Sequence, residues 1–293
     1  CASRASNLVP GDTNGHADIF LRDRNTGVTE IVSRRAGGIQ PNGGSYEVAI
    51  SADGRFIAFT SQASNLVPGD TNGTYDVFVR DRKLHTTRRV SVGPGGIEGD
   101  GQSRGPAISA DGRFVSFYSW AKNLVPGLVN QTQSVFIRDL QKGTNELVSV
   151  PLGGVQDTCN SSFSALSANG RFVAFDSCSG NLVLGDDNKA YDVFLRDRLQ
   201  KTTVLLSRNR SGVVGNDYSG FPTISADGKI VAFESRATNL SSVASNGEWH
   251  VYAVDVRARD PRRMSEVQQV QGNEASLNPT LSADGAMVAF WSF

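Results

Sequence analysis

Apolar residues in this chain gather in short runs that return at a fixed interval. Phe56, Ile57, Ala58 and Phe59 form one such run, apolar toward both faces, as expected of a strand covered on both sides. It sits inside SADGRFIAF, and the related strings SADGRFVSF, SANGRFVAF, SADGKIVAF and SADGAMVAF follow, the set beginning at Ser51, Ser109, Ser167, Ser225 and Ser282. The spacings are 58, 58, 58 and 57 residues. A second series keeps step, ADIFLRD, YDVFVRD, QSVFIRD, YDVFLRD and HVYAVD, and so does an Asn-Leu pair starting at Asn7, Asn65, Asn123, Asn181 and Asn239. Repetition at this period over a whole chain is the signature of a repeat architecture.

Each copy predicts four strands. In the second copy these run from about Ser45 to Ile50, Arg55 to Ser61, Asp76 to Asp81 and Arg88 to Val92. Ser-Ala-Asp-Gly makes the first turn, and the loop NLVPGDTNG, with Pro68, Gly69 and Asn72-Gly73, joins the second strand to the third. Four antiparallel strands per repeat, buried on both faces, make a β-propeller blade. The expectation is an all-β, five-bladed β-propeller forming one domain over 1–293. The chain begins after a second strand and ends at one. The ring is therefore expected to close by pairing Asp18–Asp23 with Val288–Ser292, the last blade being shared between about 1–40 and 273–293.

Composition narrows the functions. Lys plus Arg and Asp plus Glu each total 29, so no sustained basic field serves nucleic acid or an anionic membrane. No apolar run approaches the roughly 20 residues of a membrane-spanning helix. The chain starts at Cys1 without methionine and reads as processed or excised from something longer.

The Ser-x-Asp-Gly turn, the apolar strand ending in Ala-Phe and the Asp-Val-Phe strand ending in Arg-Asp together resemble the TolB-like β-propellers. The resemblance covers all five repeats. It implies a periplasmic or secreted module that acts as a protein-binding platform. The repeats here are longer and the second-to-third-strand loop is extended, so no particular TolB partner carries over.

Loops on a rigid scaffold carry binding residues, which makes the face bearing the NLVPGDTNG loops the candidate surface. Within them Asp12, Asn14 and Asp18 recur as Asp70, Asn72, Asp76 and as Asp186, Asn188, Asp192, an oxygen set suited to calcium. The competing reading is Asx-turns that cap the strand start. Asn14, Asn72, Asn130, Asn188 and Asn246 persist in all five copies, which points to a structural Asn. The two Asp come and go together, being replaced by Leu128 with Ser134 and by Ala244 with His250. At the pore mouth one first-strand position varies as Glu47, Gly105, Phe163, Phe221 and Asn278, preceded by Tyr46, Arg104, Ser162, Gly220 and Leu277. That variation suits an asymmetric ligand or relaxed packing, and Trp120 after a second strand is a further contact candidate.

The expected function is a non-catalytic, secreted or periplasmic module binding protein, peptide or glycan. One alternative is a polysaccharide-processing enzyme with pore carboxylates, another a structural unit of an extracellular assembly. The five first strands hold one acid, Glu47, while Asp100, Asp157, Asp217 and Glu274 lie in preceding loops without a shared motif. His16, His85 and His250 are too scattered in the repeat for a His metal site or a Ser-His-Asp set. The Arg-Asp pairs at Arg22, Arg80, Arg138 and Arg196 are expected to bond blade to blade. Counting outward from the Ser167–Gly170 turn sets Cys159 opposite Cys178. The Cα separation there is about 4.5–5.5 Å, which a disulfide tolerates and which implies an oxidising compartment. Cys1 is left over.

Overall fold

The computed structural model describes all residues except 129–131, 155–158, 242–244, 268–269 and 273. It divides into two compact units, Cys1–Gln131 with Phe136–Glu146 and Thr132–Val135 with Leu147–Phe293. Both are built of antiparallel strands. The N-terminal strands are β1 (Ala2–Ser3), β2 (Asp18–Arg22) and β3 (Thr29–Ile31). A first blade follows, β4 (Ser45–Ile50), β5 (Phe56–Ser61), β6 (Asp76–Asp81) and β7 (Thr86–Arg89). The second is β8 (Ser103–Ile108), β9 (Phe114–Ser119), β10 (Ser134–Asp139) and β11 (Thr144–Leu147). The third is β12 (Ser161–Leu166), β13 (Phe172–Ser177), β14 (Asp192–Asp197) and β15 (Thr202–Leu205), and the fourth β16 (Ser219–Ile224), β17 (Ile230–Ser235), β18 (His250–Asp255) and β19 (Pro261–Arg263). Two short strands, β20 (Glu266–Val267) and β21 (Val270–Gln271), precede a hairpin of β22 (Ser276–Leu281) and β23 (Val288–Ser292). No helix among the described residues is long and apolar enough to cross a membrane.

The repeated residues explain the repeated shape. In the first turn Ser51 Oγ donates to Asp53 Oδ1 at 2.6 Å and accepts from the Phe56 N–H at 2.9 Å, while Gly54 takes the left-handed φ of 67° that closes it. Paired rings then fill the middle of each blade. Phe59 with Phe78, Phe117 with Phe136, Phe175 with Phe194 and Phe233 with Tyr252 stack at 5.6–5.9 Å, all fully buried. At the other end the first-strand serines pair with second-strand serines, Ser45 Oγ to Ser61 Oγ at 2.9 Å and Ser161 Oγ to Ser177 Oγ at 2.8 Å. Ser61 Oγ in turn donates to the Gly44 carbonyl.

Two expectations need correction. Asp18–Arg22 does not pair with Val288–Ser292: β2 lies between β1 and β3, with Ala2 opposite Ile19, and β23 pairs with β22 alone. Ala2–Ser3 lies along that edge of β2. Cys1–Ser3 turns back along β2, and the Phe20 N–H donates to the Cys1 carbonyl at 2.8 Å. The Arg-Asp pairs also divide their work. Asp81, Asp139 and Asp197 each hold the turn arginine of their own blade at 2.6 Å (Arg55, Arg113, Arg171), whereas Arg80 and Arg138 reach preceding-repeat carbonyls, those of Arg34 and Val92.

Candidate functional site

The variable first-strand position is a β-bulge in every copy. Pairing shifts register between Tyr46 and Val48, Arg104 and Ala107, Ser162 and Ala165, Gly220 and Thr223, and Leu277 and Thr280. Glu47, Gly105, Phe163, Phe221 and Asn278 accordingly hold φ between 25° and 62°. A bulge frees a backbone N–H from the ladder, and in three of the copies a carboxylate one repeat earlier takes it. The Gly105 N–H donates to Glu47 Oε2 at 3.0 Å, the Phe221 N–H to Asp176 Oδ2 at 3.1 Å and the Asn278 N–H to Glu234 Oε2 at 2.8 Å.

Asp176 and Glu234 escape the sequence reading because they stand on second strands, opposite Ser162 and Gly220. Burial and the nearby Glu234 carboxylate push the Asp176 pKa up to about 6, against hydrogen bonds from Ser162 and the Phe221 backbone. Burial also raises Glu234.

Aromatic side chains stand beside these acids. In the second unit Tyr191 stacks on Tyr218 at 5.2 Å, and Tyr218 meets Trp249 edge-on at 5.2 Å, all three half-buried. Burial and Asp176 raise the Tyr218 hydroxyl pKa, so it remains a neutral donor. Phe163 and Phe221, both sequence candidates, lie 4.3 Å apart, and Asn278 is exposed. The first unit gathers a more charged set. Arg104 lies over the Tyr75 ring at 4.4 Å and 3.4 Å from Glu47, and Tyr46 packs edge-on to Tyr75. Trp120, also half-buried, contacts Tyr118. Tyr75, Tyr191 and Trp249 share one repeat position, directly before the third strand. That alignment is the signal that could have found them.

The three Asp loops differ in what surrounds them. In each, the Asn side chain donates to the second Asp, Asn14 to Asp18, Asn72 to Asp76 and Asn188 to Asp192, and its oxygen accepts a backbone N–H two residues on. These Asn residues are therefore structural donors. In the first blade Arg89 Nη1 lies 3.3 Å from both Asp70 Oδ1 and Asp76 Oδ2 and contacts Glu98. Asp70, Asp76 and Glu98 could hold a metal by spacing, but a guanidinium already supplies the positive charge there. The Asp12 loop has Ile31 in place of Arg89, with Gln40 bonded to the Gly11 carbonyl. The Asp186 loop has Leu205. Burial and the adjacent Asp187 charge raise Asp186 to about 6, and burial and Asp186 raise Asp192 to about 7 against hydrogen bonds from Ser207 and Asn188.

Cys159 and Cys178 form a disulfide with Cα atoms 5.5 Å apart, and Cys1 is free and exposed. The loop acids Asp100, Asp217 and Glu274 are exposed; Asp100 accepts the Lys122 N–H from the segment after β9, and Asp217 accepts the Tyr218 N–H within its own loop. Asp157, Asn130 and Ala244 lie outside the described residues. His250 is buried between Asn246 and Ser265, its pKa lowered to about 4 by burial and Arg263.

No protein-family model matches the chain, and no curated protein matches it. Solved structures share its fold. A putative TolB from Agrobacterium tumefaciens is 16% identical with a TM-score of 0.57, over 94% of this chain and 77% of that one. TolB from Acinetobacter baumannii is 16% identical with a TM-score of 0.54, over 93% of this chain and 53% of that one. An oligogalacturonate lyase from Vibrio parahaemolyticus is 13% identical with a TM-score of 0.53, over 94% of this chain and 65% of that one. The chain thus spans about half of the Acinetobacter TolB and about two thirds of the lyase. At these identities the likeness is one of fold: the chain has the TolB-like β-propeller fold.

Proposed function

We propose that this chain is a non-catalytic, secreted or periplasmic binding module that takes a protein, peptide or glycan on the aromatic set Tyr191, Tyr218 and Trp249. One observation carries the reading. Glu47, Asp176 and Glu234 each accept the N–H that a neighbouring bulge frees, so their fixed partners are structural. An acid–base pair acting on a glycosidic bond must instead face substrate and water. Rings presenting one half-buried face offer stacking area at little entropic cost, to a sugar ring or to a proline. The TolB structures are the neighbours that fit this reading, and the disulfide fits an oxidising compartment.

A second reading, a polysaccharide-processing enzyme, draws support from Asp176, whose raised proton affinity beside Glu234 suits a general acid, and from the lyase of similar fold. Incubation with oligogalacturonates and neutral oligosaccharides separates the two. The binding reading expects quenching or a shift of tryptophan emission with some member of an oligosaccharide and proline-rich peptide panel, lost in Trp249→Ala and Tyr218→Ala. It expects no shortened product. Turnover abolished by Asp176→Asn would replace it with the enzyme reading.

A further inference from the structure

The first and third blades carry the same loop with opposite fillings. In the first, Asp70 and Asp76 are bridged by Arg89, whose Nη2 also donates to the Gly69 carbonyl at 3.0 Å. Three oxygens of one loop therefore converge on a positive charge built into the protein. In the third blade the loop is retained. Gly185 holds φ 77° where Gly69 holds 71°, and Asn188 donates to Asp192 Oδ2 at 2.7 Å as Asn72 does to Asp76 Oδ2 at 2.9 Å. Ser207 holds Asp192 Oδ1 as Ser91 holds Asp76 Oδ1.

The cation and its Glu98 partner are gone. Leu205 faces Phe194 where Arg89 faces Phe78, and Val214 bridges Arg208 where Glu98 bridges Val92. Asp186 is only 8% exposed, and among the described residues no donor reaches its carboxylate. Asp192 is fully buried, close enough for the two charges to repel, and exposed Asp187 adds a third. A buried carboxylate without a partner is costly, and two side by side more so, unless a cation joins them.

We propose that the third-blade loop is a calcium site, with the Asp186 carboxylate, Asp192 Oδ2 and the Gly185 carbonyl as ligands and water completing the shell. Hard oxygen donors of this kind suit calcium, and the one neutral and two acidic ligands suit a site filled at extracellular calcium levels. The first-blade loop needs no ion because Arg89 occupies the same place. The Asp12 loop is not included, since Gln40 already engages its Gly11 carbonyl.

The test uses the full chain, freed of metal by chelation and then titrated with calcium or magnesium. Calcium should raise the melting temperature by several degrees, with magnesium giving less, because binding to the folded state alone stabilises it. Terbium, a luminescent calcium substitute, should bind and be displaced by calcium. Asp186→Asn should weaken calcium binding at least about tenfold. The double substitution Leu205→Arg with Val214→Glu copies the first-blade filling and leaves every proposed ligand in place. It should abolish the calcium response and raise the melting temperature of the chelated protein. No response to calcium, an equal response to magnesium, or a calcium response that survives the double substitution would each overturn the assignment.

Discussion

The third blade and the C-terminal hairpin carry the same motif and end in different environments. Both begin with a Ser–Ser pair, both have the bulge, and both turn through Ser-Ala-x-Gly, with Leu166 opposite Val173 and Leu281 opposite Val288. Yet Phe175 is fully buried against Phe194, while Met287, Trp291 and Phe293 are 67–75% exposed and Phe290 is partly so. Local sequence sets turn, register and bulge in both. Burial depends on a third strand, which β14 supplies to β13 and which no described strand supplies to β23.

The largest effect that tests this contrast is a pair of core truncations. Phe175→Ala should cost about 3–5 kcal/mol in denaturant unfolding, as for a fully buried ring. Phe290→Ala should cost less than about 1 kcal/mol. Equal penalties would break the comparison and show that β23 is covered in solution, the arrangement expected from the phase of the repeat.

The disulfide separates the two regions again. Cys159 and Cys178 staple β12 to β13, whereas Glu274 and Phe293 hold the matching positions of the hairpin. Replacing both cysteines with serine should destabilise the protein by about 3 kcal/mol in the chain-entropy model. Amide exchange should quicken in β12 and β13 and stay unchanged in β22 and β23. Uniform acceleration would mean that the staple acts on the whole unit.

Asp176 gives the third blade a pH dependence that the hairpin lacks, since Trp291 takes its place opposite Leu277. Its folded pKa of about 6 lies above the ordinary 3.8, raised by burial and Glu234. The folded state therefore holds the proton more tightly. This group's stabilising contribution is full below the ordinary value and is lost as pH rises through 6. Asp176→Asn forfeits a charged acceptor but also that loss. Its penalty should shrink by about 2 kcal/mol between pH 4 and pH 7. A penalty independent of pH would show that Asp176 is ionised throughout.

These contrasts also mark what the sequence could tell. The repeat period dictates strand positions, and counting across one turn finds the Cys159–Cys178 bond, because both depend on local register. Asp176, Glu234 and Arg89 were illegible for a different reason. Each acts on a group that is distant in sequence, and its partner is known only once a bulge or a strand pairing is placed. Glu234 reaches the Asn278 N–H, 44 residues on. Ring closure is a similar case: repeat phase makes β2 and β23 candidates to pair, but does not reveal that Ala2–Ser3 pairs with β2.

The smallest effect concerns a clamp that weakens step by step toward the hairpin. Arg171 holds Asp197 through two nitrogens in the third blade, with Nη2 to Oδ2 at 2.6 Å. At the same position in the fourth blade stands Lys229, which pairs at 2.6 Å with Asp227 in its own turn. Asp255, the counterpart of Asp197, is left exposed, capping the Arg257 and Ala258 N–H groups. The hairpin has Ala286 there and no clamp. A lysine presents one point charge and cannot grip a carboxylate with two parallel donors, whereas an arginine can. Lys229→Arg should therefore turn from Asp227 to Asp255 and tie the start of β17 to the end of β18. The gain should be below about 1 kcal/mol, because the pair would be largely exposed. Asp255→Asn should abolish that gain in the Lys229→Arg background and leave the parent unchanged. A gain that survives Asp255→Asn would mean that the arginine stabilises by packing on the turn and that the clamp contributes nothing.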